Sequence, residues 1–481
     1  MKIKSLIFIV YLGFISVYIY KLQYYSSVDA VTSFLLFLNG MIIPCVYLKR
    51  KINIFEPLFW FSIYYYFLFL SSVWLVNTNF TESLLLQITE FYYPLENIFK
   101  LALLIILIGY ISFLIGYELF INKTAYQARS NIKIHRNIKF SPHISILLII
   151  IFVIIGSTNF FYNIKIVSNF SIVEYFQNIK YYGSYIGERY GLTTLGYQLY
   201  GIATFIGIYE FKRGNLNRFL CYTLILSYIV IYASKGRITQ TITTIIIFFL
   251  ANLYLNKKNI NKKTIFTIGS FGLTAICLFF YRRFTELRRV YHIELNDFLE
   301  VLSPSKILFG GGNLPNIAAL MKILDSWALD IGFLYGKTMP SGLFVFIPSF
   351  MKGDIFKGNT VSWISKNVWY QGDQGGGGIP PGILGDWYAN FGYLGIVLGM
   401  FLLGVTFSKI YNYVLRKDSY ILLVFYLFFL MKFVFILPKG EFSRLSYILE
   451  PTLILITWEI IKYLTFLARK KKSSIKELQL I

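Results

Sequence analysis

Long apolar runs, separated mostly by short polar connections, occupy much of this chain of 481 residues. An α-helix needs about 20 apolar residues to cross about 30 Å of hydrocarbon. The runs are continuously apolar and do not alternate as the strands of a membrane barrel do, which favours helices. We therefore predict an all-α fold, a polytopic membrane bundle of about twelve transmembrane helices. They cover about residues 3–20, 28–48, 55–77, 97–120, 143–160, 191–211, 216–234, 238–255, 264–281, 383–410, 419–437 and 445–467.

The composition supports this class, because 56% of the residues are hydrophobic, only 14% are charged, and the mean hydropathy is +0.61. The net charge of +23 collects in basic connections near residues 49–51, 123–139, 212–218, 257–263 and 416–417 and in the tail at 469–472. These lie on alternate connections, which predicts that both termini are cytoplasmic by the positive-inside rule. The basic excess therefore indicates membrane topology and not nucleic-acid binding.

The sequence offers little to a cofactor or a metal ion. Its three cysteines and three histidines lack the paired spacing of a zinc site or a disulfide framework. No Walker sequence or dinucleotide-binding fingerprint occurs. We expect no cofactor and no bound metal.

Topology divides the chain into four regions. Residues 1–281 hold the first nine helices with short loops, 282–382 form one large periplasmic loop, 383–467 hold the last three helices, and 468–481 form a basic cytoplasmic tail. The loop is too long for a passive connection and too apolar for disorder. Within it, NLPNIAALMKILDSWALDIGF predicts an amphipathic helix on the outer membrane surface or over a cavity, followed by turns and re-entrant or surface helices. A lid that only fills space is the alternative. The apolar positions of the helix are Ile317, Leu320, Met321, Leu324 and Ala328.

Cations also occur on the side where the topology rule disfavours them. The turn containing Arg237 and the turn from Lys439 to Arg444 are tight and glycine-containing, so the helix that follows each turn presents N–H groups to an anion. Interfacial snorkelling is the alternative explanation.

A third group of cations lies in the stretch YRRFTELRRVYHIEL. Its four arginines are accompanied by one carboxylate, Glu286, until Glu294 near the end of the stretch, so most of their charge is not neutralised. The remaining guanidinium groups suit a pyrophosphate. An exposed helix end with intrahelical pairs is again the alternative. The arginines we select there are Arg282, Arg283 and Arg289.

A Gly/Pro-rich stretch leads into the tenth predicted helix and places Asp386, Trp387 and Tyr388 within its first turns. A carboxylate beside aromatic faces suits sugar rings, although helix-dipole stabilisation and an interfacial aromatic belt explain the same residues. Glycines further along would let this helix pack closely against its neighbours. They are Gly392, Gly395, Gly399 and Gly404.

The stretch GGGGIPPGILGDWYANFGYLGIVLGMFLLG resembles the signature of bacterial Wzy-type O-antigen and capsule polymerases. There, a Gly/Pro-rich loop leads to a carboxylate, an aromatic residue, Asn-Phe-Gly and a glycine-rich helix. FLYGKTMPSGLFVFIPSF, the SKGR turn and PKGEFSR also resemble elements of that family. The resemblance covers about residues 230–445, and the first five helices contribute only topology.

The resemblance implies a metal-independent glycosyltransferase of the bacterial inner membrane with a GT-C-like plan. It would move a growing glycan, at the periplasmic face, onto a new undecaprenyl-pyrophosphate-linked repeat unit for O-antigen, capsule or a related polysaccharide. Membrane lipids are expected partners, and a flippase and a chain-length regulator of the same pathway are candidates. We assign phosphate binding to the arginines above with Lys439 and Arg444, sugar contacts to Trp387 and Tyr388, and the role of base to Asp386, Glu441 or His292.

Other functions stay open on these residues alone. A lipid-linked oligosaccharide flippase would share the helix count, although transporters commonly consist of two repeated halves and the large loop has no counterpart in the first half. An O-antigen ligase would share nearly every feature. A non-catalytic scaffold would not need outward cations beside a carboxylate.

Overall fold

The computed structural model describes residues 29–48, 55–79, 93–122, 142–171, 174–175, 191–234, 247, 270, 273, 316–330, 332–338, 381–416, 420–435, 456–457, 459–460, 463 and 466–467. The regular structure of these residues is helical throughout, which confirms the all-α prediction for this part of the chain. The helices delimited there are α1 Ala30–Leu48, α2 Pro57–Asn79, α3 Leu95–Phe120, α4 Pro142–Ser168, α5 Gly191–Lys212, α6 Arg218–Ser234, α7 Asn316–Asp330, α8 Gly382–Arg416 and α9 Tyr420–Phe435.

Eight of these helices coincide with predicted spans, and α7 falls within the large predicted loop. Four stretches of the described residues are long and apolar enough to cross a membrane, namely Ala30–Tyr47, Glu96–Phe120, Pro142–Ser168 and Gly382–Leu415. The predicted spans at 3–20, 238–255, 264–281 and 445–467 lie outside the described residues, apart from isolated positions. The count of twelve and the four topological regions stay predictions.

The chain divides into two compact units. Unit 1 comprises Met1–Gln127, Val301–Leu415 and Lys432–Ser446, and unit 2 comprises Ala128–Glu300, Arg416–Met431 and Tyr447–Ile481. Unit 1 therefore holds α1, α2, α3, α7 and α8 up to its last residue. Unit 2 holds α4, α5, α6 and most of α9.

Aromatic side chains form the core of unit 1 where α2, α3 and α8 meet. The rings of Phe61 and Phe113 stack with centroids 4.0 Å apart, and the ring of Phe407 meets Phe113 edge-on at 5.6 Å. Buried tyrosines need partners for their hydroxyls, and the Tyr65 hydroxyl donates to the carbonyl of Ile106 at 2.8 Å. Hydrogen bonds of this kind can form between helices inside a bilayer, because donor and acceptor satisfy each other without water.

Helix α3 and the later part of α8 run parallel in close contact. A Cβ atom on Gly116 would lie 3.0 Å from the carbonyl carbon of Phe401. Further along both helices, the Asn412 side chain donates to the Phe120 carbonyl at 2.7 Å and accepts from the backbone N–H of Asn122 at 3.0 Å. Residue numbers therefore increase in the same direction along α3 and the later part of α8, so the two helices are parallel. An alternating topology requires this direction for the fourth and tenth predicted spans.

Helix α8 is broken at Gly392, where the backbone has φ 64° and ψ −150°, a conformation open essentially to glycine alone. A Cβ on Gly395 would lie 2.5 Å from the Trp387 carbonyl oxygen, and one on Gly399 would lie 2.7 Å from Trp387 Nε1. Residues twelve apart in a continuous helix are separated by about 18 Å. The chain therefore folds back at Gly392. We call residues 382–391 the short arm and residues 393–416 the long arm.

The predicted span at 383–410 is found as α8, but the break at Gly392 was not predicted, because the run stays apolar through the break and hydropathy does not report a single backbone angle. The prediction that glycines let this helix pack closely against its neighbours is confirmed at Gly404, which faces Phe113 and Tyr117 of α3, whereas Gly395 and Gly399 face Trp387 of the same helix. The short arm also reaches α3, since the Leu384 Cδ2 atom lies 2.8 Å from where a Cβ on Gly109 would stand. Gly109 is about halfway along α3, so the short arm enters the bundle.

Helix α7 confirms the predicted helix of the large loop but differs from a helix on a membrane surface. Its apolar positions Ile317, Leu320, Met321 and Leu324 are buried, and so are the charged side chains of Lys322 and Asp325. The helix packs against α2 and α3. It also meets the short arm, where Ile323 Cδ1 lies 2.8 Å from the position of a Cβ on Gly385.

Unit 2 is built on a helical hairpin and a third helix. A Cβ on Gly156 of α4 would lie 2.7 Å from Tyr200 of α5, and one on Gly201 of α5 would lie 2.6 Å from the Tyr228 hydroxyl of α6. The opposite side of α4 exposes Leu147, Ile150, Ile151 and Ile154. An apolar exposed face of this kind suits hydrocarbon.

Candidate functional site

A chain of buried polar groups lies at the end of the short arm. Asp386 is 2% exposed, and the Asn390 side-chain amide donates to its Oδ1 at 3.3 Å and to its backbone carbonyl at 2.9 Å. The Thr338 hydroxyl donates to Asn390 Oδ1 at 3.1 Å. Ionisable groups inside a membrane bundle are costly and mark functional sites by default. We therefore take Asp386, Asn390 and Thr338 as the centre of the candidate site.

The loop at residues 332–338 holds the end of the short arm in place. The backbone N–H of Leu334 donates to the Ala389 carbonyl at 3.0 Å, and that of Tyr335 donates to the Asn390 carbonyl at 2.9 Å. Both bonds run from the loop to carbonyls in the last turn before the break at Gly392. A Cβ on Gly392 would also lie 3.1 Å from the Phe333 ring. The loop and the break thus fix the geometry around Asp386 together.

The two aromatic residues predicted beside Asp386 lie within this packing. Tyr388 is buried, with its ring 5.8 Å from Phe333 and 5.2 Å from Tyr393, both edge-on. The half-buried Trp387 packs its ring over Gly399 of the long arm. Their assignment to sugar contacts stays a prediction.

A second charged group on α7 reaches the beginning of α3. Lys322 Nζ lies 3.6 Å from Asp325 Oδ2, and the side chains are 6% and 0% exposed. Asp325 Oδ1 also accepts the backbone N–H of Tyr93 at 3.1 Å. A buried pair of this kind contributes little net stability, but loss of one partner is strongly destabilising. Because the same helix meets the short arm at Gly385, it links Asp386 to the entry of α3.

A partly exposed ion pair lies at the same end of α3. Lys100 Nζ is 2.5 Å from Asp29 Oδ2, and the Thr32 backbone N–H donates to Asp29 Oδ1 at 2.9 Å. The hydrogen bond from Lys100 lowers the pKa of the Asp29 carboxyl to about 2, so the pair stays ionised at physiological pH. Asp29 caps α1 in this way. We assign the pair to the structure and not to the site.

Most of the residues that the sequence selects lie outside the described residues. The structure places Asp386, Trp387 and Tyr388 together at the short arm, and their roles stay predictions. The phosphate-binding and base assignments stay predictions as well for Arg237, Arg282, Arg283, Arg289, His292, Lys439, Glu441 and Arg444. Among the described residues, no group of three His, Cys, Asp or Glu side chains could hold a metal ion.

Sequence reasoning missed several polar residues of this site. Asn390 lies four residues after Asp386, a spacing that places both on one helix face, and this signal was available. Thr338 carried no such signal, because its contact depends on the loop fold. Lys322 and Asp325 were not selected either, because charged residues on an amphipathic helix usually face solvent, and only the structure shows their burial.

Comparison with known families decides the class of the protein. The family model for O-antigen polysaccharide polymerase Wzy matches residues 1–471. The chain belongs to the Wzy family. Searches of curated proteins and of solved structures gave no match.

Membership in the Wzy family agrees with the resemblance carried by the Asp386 region. It supports a role as an O-antigen polymerase, a glycosyltransferase-like enzyme that acts on lipid-linked glycans. Together with the long apolar helices, it indicates an integral membrane protein.

Proposed function

We propose that the protein polymerises undecaprenyl-pyrophosphate-linked oligosaccharide repeat units at the periplasmic face of the bacterial inner membrane, without a metal ion. The observation that carries this proposal is the buried Asp386 on a short arm that folds back into the bundle of a Wzy-family chain. A transport pathway would require neither a carboxylate fixed by Asn390 nor a loop that fastens the arm. We therefore favour transfer chemistry over translocation.

In the proposed reaction, an acceptor hydroxyl at the non-reducing end of a new repeat unit attacks the anomeric carbon of the growing glycan. The new C–O bond forms while the bond from that carbon to the pyrophosphate oxygen breaks, and undecaprenyl pyrophosphate leaves with the electron pair. Asp386 takes the hydroxyl proton as general base, while Glu441 and His292 are the other candidates for this step.

Burial and orientation support the choice of Asp386. The Asn390 amide fixes one carboxylate oxygen, and pre-organised groups contribute to catalysis because they need no reorientation during the reaction. The 2% exposure excludes bulk water from the carboxylate, which favours transfer to a sugar over hydrolysis of the donor. Cationic side chains stabilise the leaving pyrophosphate, and we assign this to Arg237, Arg282 and the other selected cations.

Deletion of the gene tests the function directly. We expect the ladder of surface polysaccharide to disappear while a single repeat unit still caps the lipid core or carrier, because synthesis and export of the unit continue. The measurement is electrophoretic profiling of lipopolysaccharide or capsule. Long unattached polymer would indicate a ligase, and repeat units retained in the cytoplasm would indicate a flippase.

Arginine replacements test the phosphate assignment. Arg237→Ala and Arg282→Ala should each abolish polymerisation at unchanged protein level, since each removes a guanidinium proposed to stabilise the leaving pyrophosphate. The measurement is complementation of the deletion strain with immunoblotting. Arg218→Ala is the control, because Arg218 is exposed and stacks on Tyr222 at 5.3 Å. Normal ladders from both test variants would remove the assignment.

A further inference from the structure

An exposed aromatic surface surrounds the break at Gly392. Tyr335 is 75% exposed and Tyr393 is 53% exposed, and the ring of Phe391 is partly exposed beside them. Each of the two exposed tyrosines packs on a less exposed ring, Tyr335 on the half-buried Phe333 at 6.4 Å and Tyr393 on the buried Tyr388 at 5.2 Å, by ring centroids. These exposed rings are therefore held on a packed base and are not isolated side chains.

The backbone fixes the orientation of Tyr335. Its φ is 48°, in the left-handed region of the backbone that residues other than glycine, asparagine and aspartate rarely adopt. The bond from its N–H to the Asn390 carbonyl, and the bond from the Lys337 N–H to the Leu334 carbonyl, hold this turn. Strain of this kind persists where surrounding structure imposes it and is found at ligand-binding sites.

The same turn presents a cation. Lys337 is exposed two residues after Tyr335, and a lysine ammonium is strongly hydrated, so the turn lies in water or among headgroups and not in hydrocarbon. Thr338, the next residue, bonds to the Asn390 side chain that fixes Asp386. One short loop therefore carries the exposed ring of Tyr335 and the cation, and it is connected through Thr338 and Asn390 to the buried carboxylate of Asp386.

An apolar stripe continues from this surface along the long arm. The exposed side chains recur at helical spacing after Tyr393, which places them on one face. They are Leu394, Val397, Leu398 and Leu402. Aromatic faces suit sugar rings, a lysine suits a phosphate, and an apolar stripe suits a polyprenyl chain.

We propose that Tyr335, Lys337 and the apolar face of the long arm bind one lipid-linked glycan, with a sugar ring on Tyr335, the pyrophosphate near Lys337 and the polyprenyl chain along Leu394 to Leu402. This inference rests on the proposed function and identifies where its substrate binds. The loop and the long arm offer one feature for each part of this substrate: an exposed ring for a sugar, a cation for a phosphate and an apolar stripe for the lipid. An ordinary bilayer lipid has no sugar ring of this kind and is the competing occupant.

The test uses the full-length protein in lipid nanodiscs with lipid-linked repeat units extracted from the deletion strain. Tyr335→Leu keeps an apolar side chain but removes the ring, and we expect it to raise the apparent KM about 10-fold with kcat within about twofold. Tyr335→Phe and Tyr335→Trp should stay within about threefold of the wild type. Lys337→Gln should raise the apparent KM about fivefold.

Matched variants separate this role from membrane anchoring. Tyr93→Leu replaces another exposed tyrosine, just before α3. Lys409→Gln replaces a lysine of the long arm whose ammonium lies over the ring of Phe120 in α3. Both should leave the KM unchanged. The proposal is overturned if Tyr93→Leu and Tyr335→Leu have equal effects, or if the effect of Tyr335→Leu occurs only in nanodiscs that contain anionic lipid.

Failure of this inference is distinguishable from failure of the proposed function. If the wild type polymerises the extracted units while Tyr335→Leu and Lys337→Gln are both normal, the binding surface is wrong and the polymerase function stands. If the wild type forms no polymer from these units and the deletion strain keeps its ladder, the polymerase function itself is wrong.

Discussion

Replacing Asp386 with asparagine should lower polymerisation about 10²–10⁴-fold, the usual contribution of a positioned acid or base. Asparagine has nearly the same shape as aspartate, and its amide oxygen can accept the bond that the Asn390 amide now donates to Asp386 Oδ1. The substitution therefore removes the proton acceptor and keeps the short arm. The measurement is the rate of glycan transfer by purified protein, with polymer ladders as the cellular readout.

Asp29→Asn is the matched control for this prediction. Asp29 is also a carboxylate that accepts bonds from Lys100 and from Thr32, but it lies, partly exposed, at the start of α1. Asparagine is itself a good N-cap, and an ion pair near the surface contributes little to stability. We expect activity within about twofold of the wild type. A common loss in both variants would show that charge removal at this end of unit 1 disturbs the fold.

Full activity of Asp386→Asn at normal protein level would contradict the assignment of Asp386 as the base. Glu441→Gln and His292→Ala would then become the decisive variants, since they carry the remaining candidates. Reduced protein level with unchanged activity per molecule would instead assign Asp386 a structural role at the helix break.

The helices were predictable because their cause is local. A helix such as Leu95–Phe120 is apolar over most of its length, with its charged residues near its ends, and a membrane span requires little more than this. The break at Gly392 was not predictable in the same way. It depends on one pair of backbone angles and on the carbonyls that Leu334 and Tyr335 satisfy from a loop more than 50 residues earlier.

The candidate site was predictable in part. The carboxylate and its aromatic neighbours follow from the sequence around Asp386, whereas the partners of α7 do not. Lys322 and Asp325 have the spacing of a solvated helix face, and only tertiary contacts bury them. Sequence patterns therefore identified the segment that holds the site but not the segments that close around it.

Gly404→Ala should destabilise unit 1. A Cβ at this position would lie 2.8 Å from the backbone nitrogen of Tyr117 and 3.1 Å from the carbonyl carbon of Phe113, with the Phe113 carbonyl oxygen closer still. Backbone atoms of α3 cannot rotate away, so the two helices must separate. We expect a loss of about 1–3 kcal/mol, measured as a lower midpoint of thermal inactivation in detergent, together with weaker polymer ladders.

Gly207→Ala is the matched control, because a Cβ there meets the far end of the flexible Leu224 side chain at 2.8 Å. Alanine is also the better helix former by about 1 kcal/mol, so this variant should be neutral or slightly more stable. A loss equal to that of Gly404→Ala would show that both glycines act through helix propensity or folding in general.

The double variant Gly116→Ala with Gly404→Ala tests whether one contact explains both glycines. Each added methyl group presses on the backbone of the facing helix, Gly116 on Phe401 and Gly404 on Phe113. Once the first methyl group has separated the helices, the second finds space already open. The combined loss should therefore be smaller than the sum of the single losses, as is usual for residues in one contact. If the two losses of stability simply add, the two glycines lie in independent contacts. The close parallel packing of α3 and the long arm would then not be one shared contact.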